Sequence, residues 1–298
     1  MRREHSASLH HPFLRFGPMV ALVALLVTMS SHTASAQVAN DTQHTNTVTR
    51  YYLALGDSIA AGASASTTNG YNTPPPDSYV GLVYRRERAK LPGLKLVSYA
   101  CGGATSFSMI NGPNPCETSG EPQMNSAQTF LLNHPNRVAL ITVDIGFNDI
   151  YGCFLPKSID TSCVSAGLAQ VAASLPVILS ELKREYPGAR IVGMNYYDPL
   201  LSYDTIGAPD FATQSLSLFT NLNKTLSHAF HAAGAKMANV FAAYGSGDTQ
   251  TVVVNGKPEP ENLATICQLT EACTSNPHPN DAGHARIAAA FYPLLPKH

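Results

Sequence analysis

The sequence predicts an α/β fold: a three-layer α/β/α sandwich around a mostly parallel sheet of about five strands. Three observations predict it. Short runs rich in Val, Ile, Leu and Tyr alternate with longer segments of helical periodicity, the pattern of strand–helix–strand crossovers. The run Val138-Ala139-Leu140-Ile141-Thr142-Val143-Asp144-Ile145 is apolar almost throughout, as a strand is when helices cover both sheet faces. Three strands run into Gly-containing turns that carry Ser, Asn or Asp, and sites in parallel sheets lie at the C-terminal strand ends.

Taken in order, the first strand spans 50–55 and the segment through Pro74-Pro75-Pro76 is loop, because proline removes donors and fixes φ. Asp77 or Ser78 caps a helix from Tyr79 to Leu91 that ends at Pro92-Gly93. Leu94 to Tyr99 is the second strand, and 106–123 reads as a surface loop. A helix near 124–133 leads into the third strand, 138–145, which breaks at Gly146-Phe147-Asn148-Asp149. A long helix over 164–185 carries a bend at Pro176. Arg190 to Tyr196 is the fourth strand, a helix covers 209–233, and Met237 to Ala242 is the fifth strand. Residues 245–277 read as irregular, and Asn280 or Asp281 caps a last helix through Ala290.

A chain of 298 residues, 44% hydrophobic, can bury a full core, and 50–298 reads as a single domain. A formal net charge of −1 and no basic run exclude nucleic acid as the expected partner. Arg2, Arg3 and Arg15, the apolar run Met19 to Val27 and the small residues Ala34-Ser35-Ala36 make 1–36 a signal peptide, with an uncleaved anchor as the alternative. The polar stretch 37–49 is a flexible leader, and no second segment reads as a membrane span, so a secreted protein is expected. Six cysteines fit export. The count leaves their connectivity open; the near neighbours Cys101 and Cys116, Cys153 and Cys163, and Cys267 and Cys273 are the expected disulfides. No Cys-x-x-Cys and no histidine–carboxylate set has metal-ligand spacing, so neither metal nor cofactor is expected.

The chemistry concentrates in four separated pieces. In Tyr51-Tyr52-Leu53-Ala54-Leu55-Gly56-Asp57-Ser58 a strand turns into a helix start, lifting a hydroxyl out of the core with its own N–H at the positive helix end. That suits a nucleophile, although a tight turn with a capping Asp or Ser has the same composition. A serine nucleophile needs a base, and His278 in a loop before Pro279 can reach across to Ser58. It also needs donors for an oxyanion. The N–H of Ser58, the bare backbone of Gly103 and the side-chain amide of Asn148 can supply them.

These pieces, in this order, resemble the SGNH hydrolases, the GDSL-type esterases and lipases, over 51–290. The first block of that family is matched by Gly56-Asp57-Ser58 and its third by Gly146-Phe147-Asn148-Asp149. Its second supplies a glycine, here Gly103 with Gly102 as a one-residue alternative. Its last carries the histidine, here His278-Pro279-Asn280. The resemblance implies a flavodoxin-like sheet and a serine hydrolase of carboxylic esters.

One position departs from the family pattern. Where the family usually has an aspartate three residues before the histidine, this chain has Ser275. A backbone carbonyl near Ser275 or Asn276 would then accept the Nδ1 proton, giving a Ser–His dyad, with Asp281 as the rival orienter. His284, six residues on and within the last helix, is the rival base. Asp57 and Asp149 read as loop-holding acceptors, and His228 and His231 as surface residues on a long helix. Short esters, lipids and acetylated sugars all suit this machinery; the polar composition favours a small or carbohydrate ester, although the loops at 63–77, 104–123 and 245–277 could form an apolar cleft. The alternative from another class is a non-catalytic glycan- or lipid-binding protein on the same scaffold.

Overall fold

Five strands, Arg50–Gly56, Leu94–Ser98, Val138–Asp144, Arg190–Met194 and Lys236–Ala238, pair in parallel in the spatial order second, first, third, fourth, fifth. The computed structural model of the protein describes residues 48–64, 73–155, 158–274 and 276–297. The expected signal peptide 1–36, the leader 37–49 apart from Val48 and Thr49, and Ser275 lie outside the described residues. This strand order reverses direction between the first and third strands, and that switch opens a crevice at their C-terminal ends. Gly56 at the end of the first strand lies opposite Asp144 at the end of the third.

Crossovers between parallel strands carry helices, and these pack in two groups. Helix Tyr79–Lys90 packs with the last helix, Asp281–Phe291, while Thr161–Glu185 packs with Gln123–Asn133 and Pro209–Ala232. With both faces covered, Tyr52, Leu53, Ala54 and Leu55 of the first strand are all buried, as are Leu140, Ile141 and Val143 of the third. Each such Leu or Ile contributes about 1.5–3 kcal/mol by leaving water. The chain therefore anchors Ser58 just past the end of a strand whose last five residues are all buried.

Four expectations need correction. The fifth strand stops at Ala238, because the Asn239 side chain accepts from Ala242 N and caps the short helix Val240–Ala243. The stretch 106–123 opens with a helix, Ser106–Asn111, started by a capping box between Thr105 and Ser108. The stretch 245–277 holds a hairpin, Thr251–Val254 with Lys257–Pro260, and a helix, Glu261–Leu269. Helix Thr161–Glu185 is, by length and composition, apolar enough to cross a membrane, contrary to the reading that no segment after the N-terminus is. Its apolar row Val171, Leu175, Ile178, Leu179 and Leu182 is buried in the core. Pro176 sits inside this helix, which continues through it to Glu185.

Candidate active site

The turn after the first strand is built from residues that tolerate it. Gly56 has φ +150°, and a Cβ there would overlap the carboxylate of Asp144. The Gln123 side chain clamps the same residue: Oε1 accepts from Gly56 N at 3.0 Å and Nε2 donates to Gly56 O at 2.8 Å. Asp57 caps the one-turn helix Ser58–Ala61, accepting from Ile59 N at 2.9 Å. Ser58, first in that helix, is thereby turned toward the crevice.

Asp57 is not beside the imidazole. Its other oxygen accepts from Tyr196 OH at 2.7 Å, deep below Ser58. Burial pushes its carboxyl up to about 6. Asp144, paired with Tyr79 OH at 3.1 Å, is pushed well above the usual carboxylate range by burial and by the Asp57 charge. Asp149 accepts from Ser106 N and Ser106 Oγ, at 2.8 and 2.6 Å, and ties the second glycine turn to the third. Asp57 and Asp149 thus each accept from one backbone N–H and one hydroxyl.

His278 arrives from the far end of the chain. Nε2 stands 2.8 Å from Ser58 Oγ, across 220 residues of sequence. Its loop is held on several sides. Tyr197 OH donates to Pro277 O at 2.7 Å, and Thr270 bridges Pro279. Asn280 caps the last helix, accepting from Gly283 N at 3.0 Å. Burial lowers the His278 pKa below its ordinary value, opposed by the charge of Glu271.

Among the described residues the group that faces Nδ1 is a side chain of one of the expected orienters: Asn276 Oδ1, at 2.9 Å. An amide oxygen only accepts, so Nδ1 carries the proton and Nε2 is left free to accept from the Ser58 hydroxyl. Asp281 is exposed at the start of the last helix, and the nitrogen it would have oriented is occupied by Asn276. Ser275 lies outside the described residues.

His284 is buried and does not compete as a base. Nδ1 accepts from Tyr79 N at 3.3 Å and Nε2 donates to Ala63 O at 3.0 Å, so both ring nitrogens bond to backbone. Burial lowers its pKa as well.

The donors expected for an oxyanion surround the same space. Gly102, Gly103 and Asn148 line one cavity of about 410 Å³ with Ser58 and His278. Gly103 has φ +78°, a left-handed conformation that disfavours any other residue. The N–H groups of Ser58 and Gly103 donate to no described residue. Asn148 Nδ2 donates to Ala104 O at 3.0 Å, which fixes the amide while leaving it a second hydrogen. The remaining wall is apolar and aromatic, formed by Phe147, Tyr151, Tyr196, Tyr197, Pro199 and Pro277. Apart from Phe147, which falls inside the Gly146-Phe147-Asn148-Asp149 block, this wall carries no local sequence motif, and neither does the Asn276 side chain.

Disulfides join Cys101 to Cys116, Cys153 to Cys163 and Cys267 to Cys273. The first sits beside Gly102 and Gly103, and the third closes the loop before His278. Among the described residues no group of three or more His, Cys, Asp or Glu is arranged to hold a metal ion.

A doubly wound sheet with serine, glycine, asparagine and histidine gathered at its switch point defines a class of hydrolase fold, and the comparisons name the family. The model of the GDSL-like Lipase/Acylhydrolase family matches residues 54–286, and the chain belongs to that family. Among solved structures it is similar to phospholipase A1 from Streptomyces albidoflavus NA297, at 19% identity and TM-score 0.55, covering 83% of this chain and 100% of that one. It is similar to an extracellular lipase from Streptomyces rimosus, at 17% identity and TM-score 0.55, with coverage of 83% and 100%. A third is a catalytic mutant of the acetylxylan esterase Axe2 from Geobacillus stearothermophilus, at 15% identity and TM-score 0.50, with coverage of 85% and 97%. At such identities these likenesses concern the fold. No curated protein matches the chain.

Proposed function

We propose that the protein is an exported serine ester hydrolase using Ser58 as nucleophile and His278 as base. The observation that carries this reading is the 2.8 Å contact between Ser58 Oγ and His278 Nε2, both lining a cavity where the N–H groups of Ser58 and Gly103 donate to no described residue. In the first half-reaction Oγ bonds to the ester carbonyl carbon and its proton passes to Nε2. The carbonyl oxygen takes up negative charge against the N–H groups of Ser58 and Gly103 and the Asn148 amide. Collapse breaks the bond to the alcohol oxygen, which leaves with the proton from Nε2. Water then gives a proton to Nε2 as its oxygen bonds to the acyl carbon; the acyl–Oγ bond breaks, Oγ takes the proton back from Nε2, and the acid leaves with Ser58 and His278 restored. No metal or cofactor takes part in this cycle.

The aromatic wall shifts the substrate expectation away from the smallest esters. A cavity of about 410 Å³ lined by Phe147 and three tyrosines suits an apolar acyl group, since each seated methylene gains up to ~0.8 kcal/mol. Export is supported by the signal-like N-terminal sequence and by three disulfides. The non-catalytic reading has no observation of its own here, because a binding site has no need of a serine hydroxyl held against an imidazole. Turnover of a p-nitrophenyl ester series tests the proposal. Activity rising from acetate to butyrate or hexanoate, and lost in Ser58→Ala, is expected; a folded wild-type protein that turns over none of them contradicts it.

A further inference from the structure

Asn276 connects the imidazole to a charge. Its Nδ2 donates to Glu271 Oε2 at 2.6 Å, so one amide bridges a carboxylate and the Nδ1 of His278. Its orientation is set from both ends. The backbone N–H of His278 donates to Oδ1 at 3.0 Å, and a carboxylate can only accept, so the NH₂ end must face Glu271. Glu271 is held in turn. Its N–H donates to His278 O at 3.0 Å and its carbonyl accepts from Asn276 N at 3.2 Å. Ser64 Oγ donates to Oε2 at 3.1 Å, and the Cys267–Cys273 disulfide closes the turn on which Glu271 sits.

We infer that Glu271 is a positioning residue for the hydrolysis: its carboxylate, acting through the Asn276 amide, aligns the His278 ring and stabilises the positive charge the ring gains in the transition state. This rests on the reading of Ser58 and His278 as nucleophile and base. The amide supplies the tautomer and the half-buried carboxylate supplies the charge, two tasks that a single aspartate in contact with the ring would combine. The other ionisable groups near the ring do not substitute. Asp57 is spent on Tyr196 and Ile59, and Asp149 on Ser106. His284, from the last helix, is bonded to backbone through both nitrogens and acts against a positive His278; Asp77 and Asp281 act on His284. Tyr197, which holds Pro277, is kept neutral by burial.

The test uses the full chain, a p-nitrophenyl ester, kcat and KM across pH, and thermal melting as the check on folding. Glu271→Gln should lower kcat about 10-fold with KM unchanged and move the acidic limb of the profile down by ~0.5 pH unit, because less positive charge is stabilised on the ring. The double variant Glu271→Gln with Asn276→Asp reverses the order of amide and carboxylate. It should recover kcat and return the limb to the wild-type position or above. A folded E271Q with wild-type kcat and limb overturns the inference, and so does a double variant no better than E271Q. If E271Q unfolds, the double variant decides: a limb below wild type overturns it. Wild-type protein without turnover would fail the underlying reading instead, whereas active wild type with an unmoved E271Q fails only this one.

Discussion

Asn276 Oδ1 lies 2.9 Å from His278 Nδ1, where an acyl hydrolase with a full triad would carry a carboxylate. The substitution keeps the ring tautomer and gives up the adjacent charge. Replacing Asn276 by Ala should therefore cost ~10–100-fold in kcat, the range for a group that orients a reacting side chain. Ser275→Ala should leave most activity intact. Steady-state kinetics of the two variants side by side checks this, and a collapse in Ser275→Ala with none in Asn276→Ala would reverse the assignment.

Asn148 is anchored through Ala104 O and lines the cavity with its amide. If that amide binds the developing oxyanion, Asn148→Ala should lower kcat by ~10²–10³ while leaving KM near wild type, because the donor matters in the transition state. An equal rise in KM and unchanged kcat would move Asn148 from transition-state to ground-state binding.

The pH profile has a definite sign. Burial holds the His278 pKa below its ordinary value, so the ring is neutral, and able to accept the serine proton, at pH 7. Activity should fall on the acid side as the ring protonates, with the midpoint below about 6.5. Profiles of kcat/KM with a substrate that does not itself titrate measure it. A midpoint above that value would mean that charge, not burial, governs this ring.

Asp198 contributes a pH-dependent stability of its own. It is buried, accepts from Ser215 Oγ at 2.7 Å and Leu200 N at 2.9 Å, and is pushed up to about 7 by burial. A folded-state pKa above the unfolded value near 3.9 means that folding favours the protonated acid. That contribution is complete below about pH 4 and is lost as pH rises through about 7. Asp198→Asn should therefore gain about 1 kcal/mol, or roughly 2–4 °C in Tm, over wild type at pH 8, and less at pH 5. Melting curves at the two pH values check the difference.

Much of this arrangement was legible because strong, local signals coincide with it. Continuous apolar runs such as Val138 to Ile145 mark strands covered on both faces, and the glycine turns after them mark the crevice. What escaped has identifiable causes. Asn239 ends the fifth strand by capping a helix, although apolar residues continue to Ala242. The hairpin at 251–260 was hidden by Pro258 and Pro260. Its turn, Asn255-Gly256, with φ of +51° and +79°, carries a hairpin signal that could have revealed it. The Glu271–Asn276–His278 relay had no such marker. It depends on antiparallel backbone contacts within an irregular loop, and no periodicity encodes them.

The most direct test of the account is covalent labelling by a fluorophosphonate, followed by peptide mass spectrometry. The predicted result is stoichiometric modification of Ser58, absent in Ser58→Ala and slowed at least ~10²-fold in His278→Ala. Folded wild-type protein that stays unmodified, or that is modified at another serine, would contradict it.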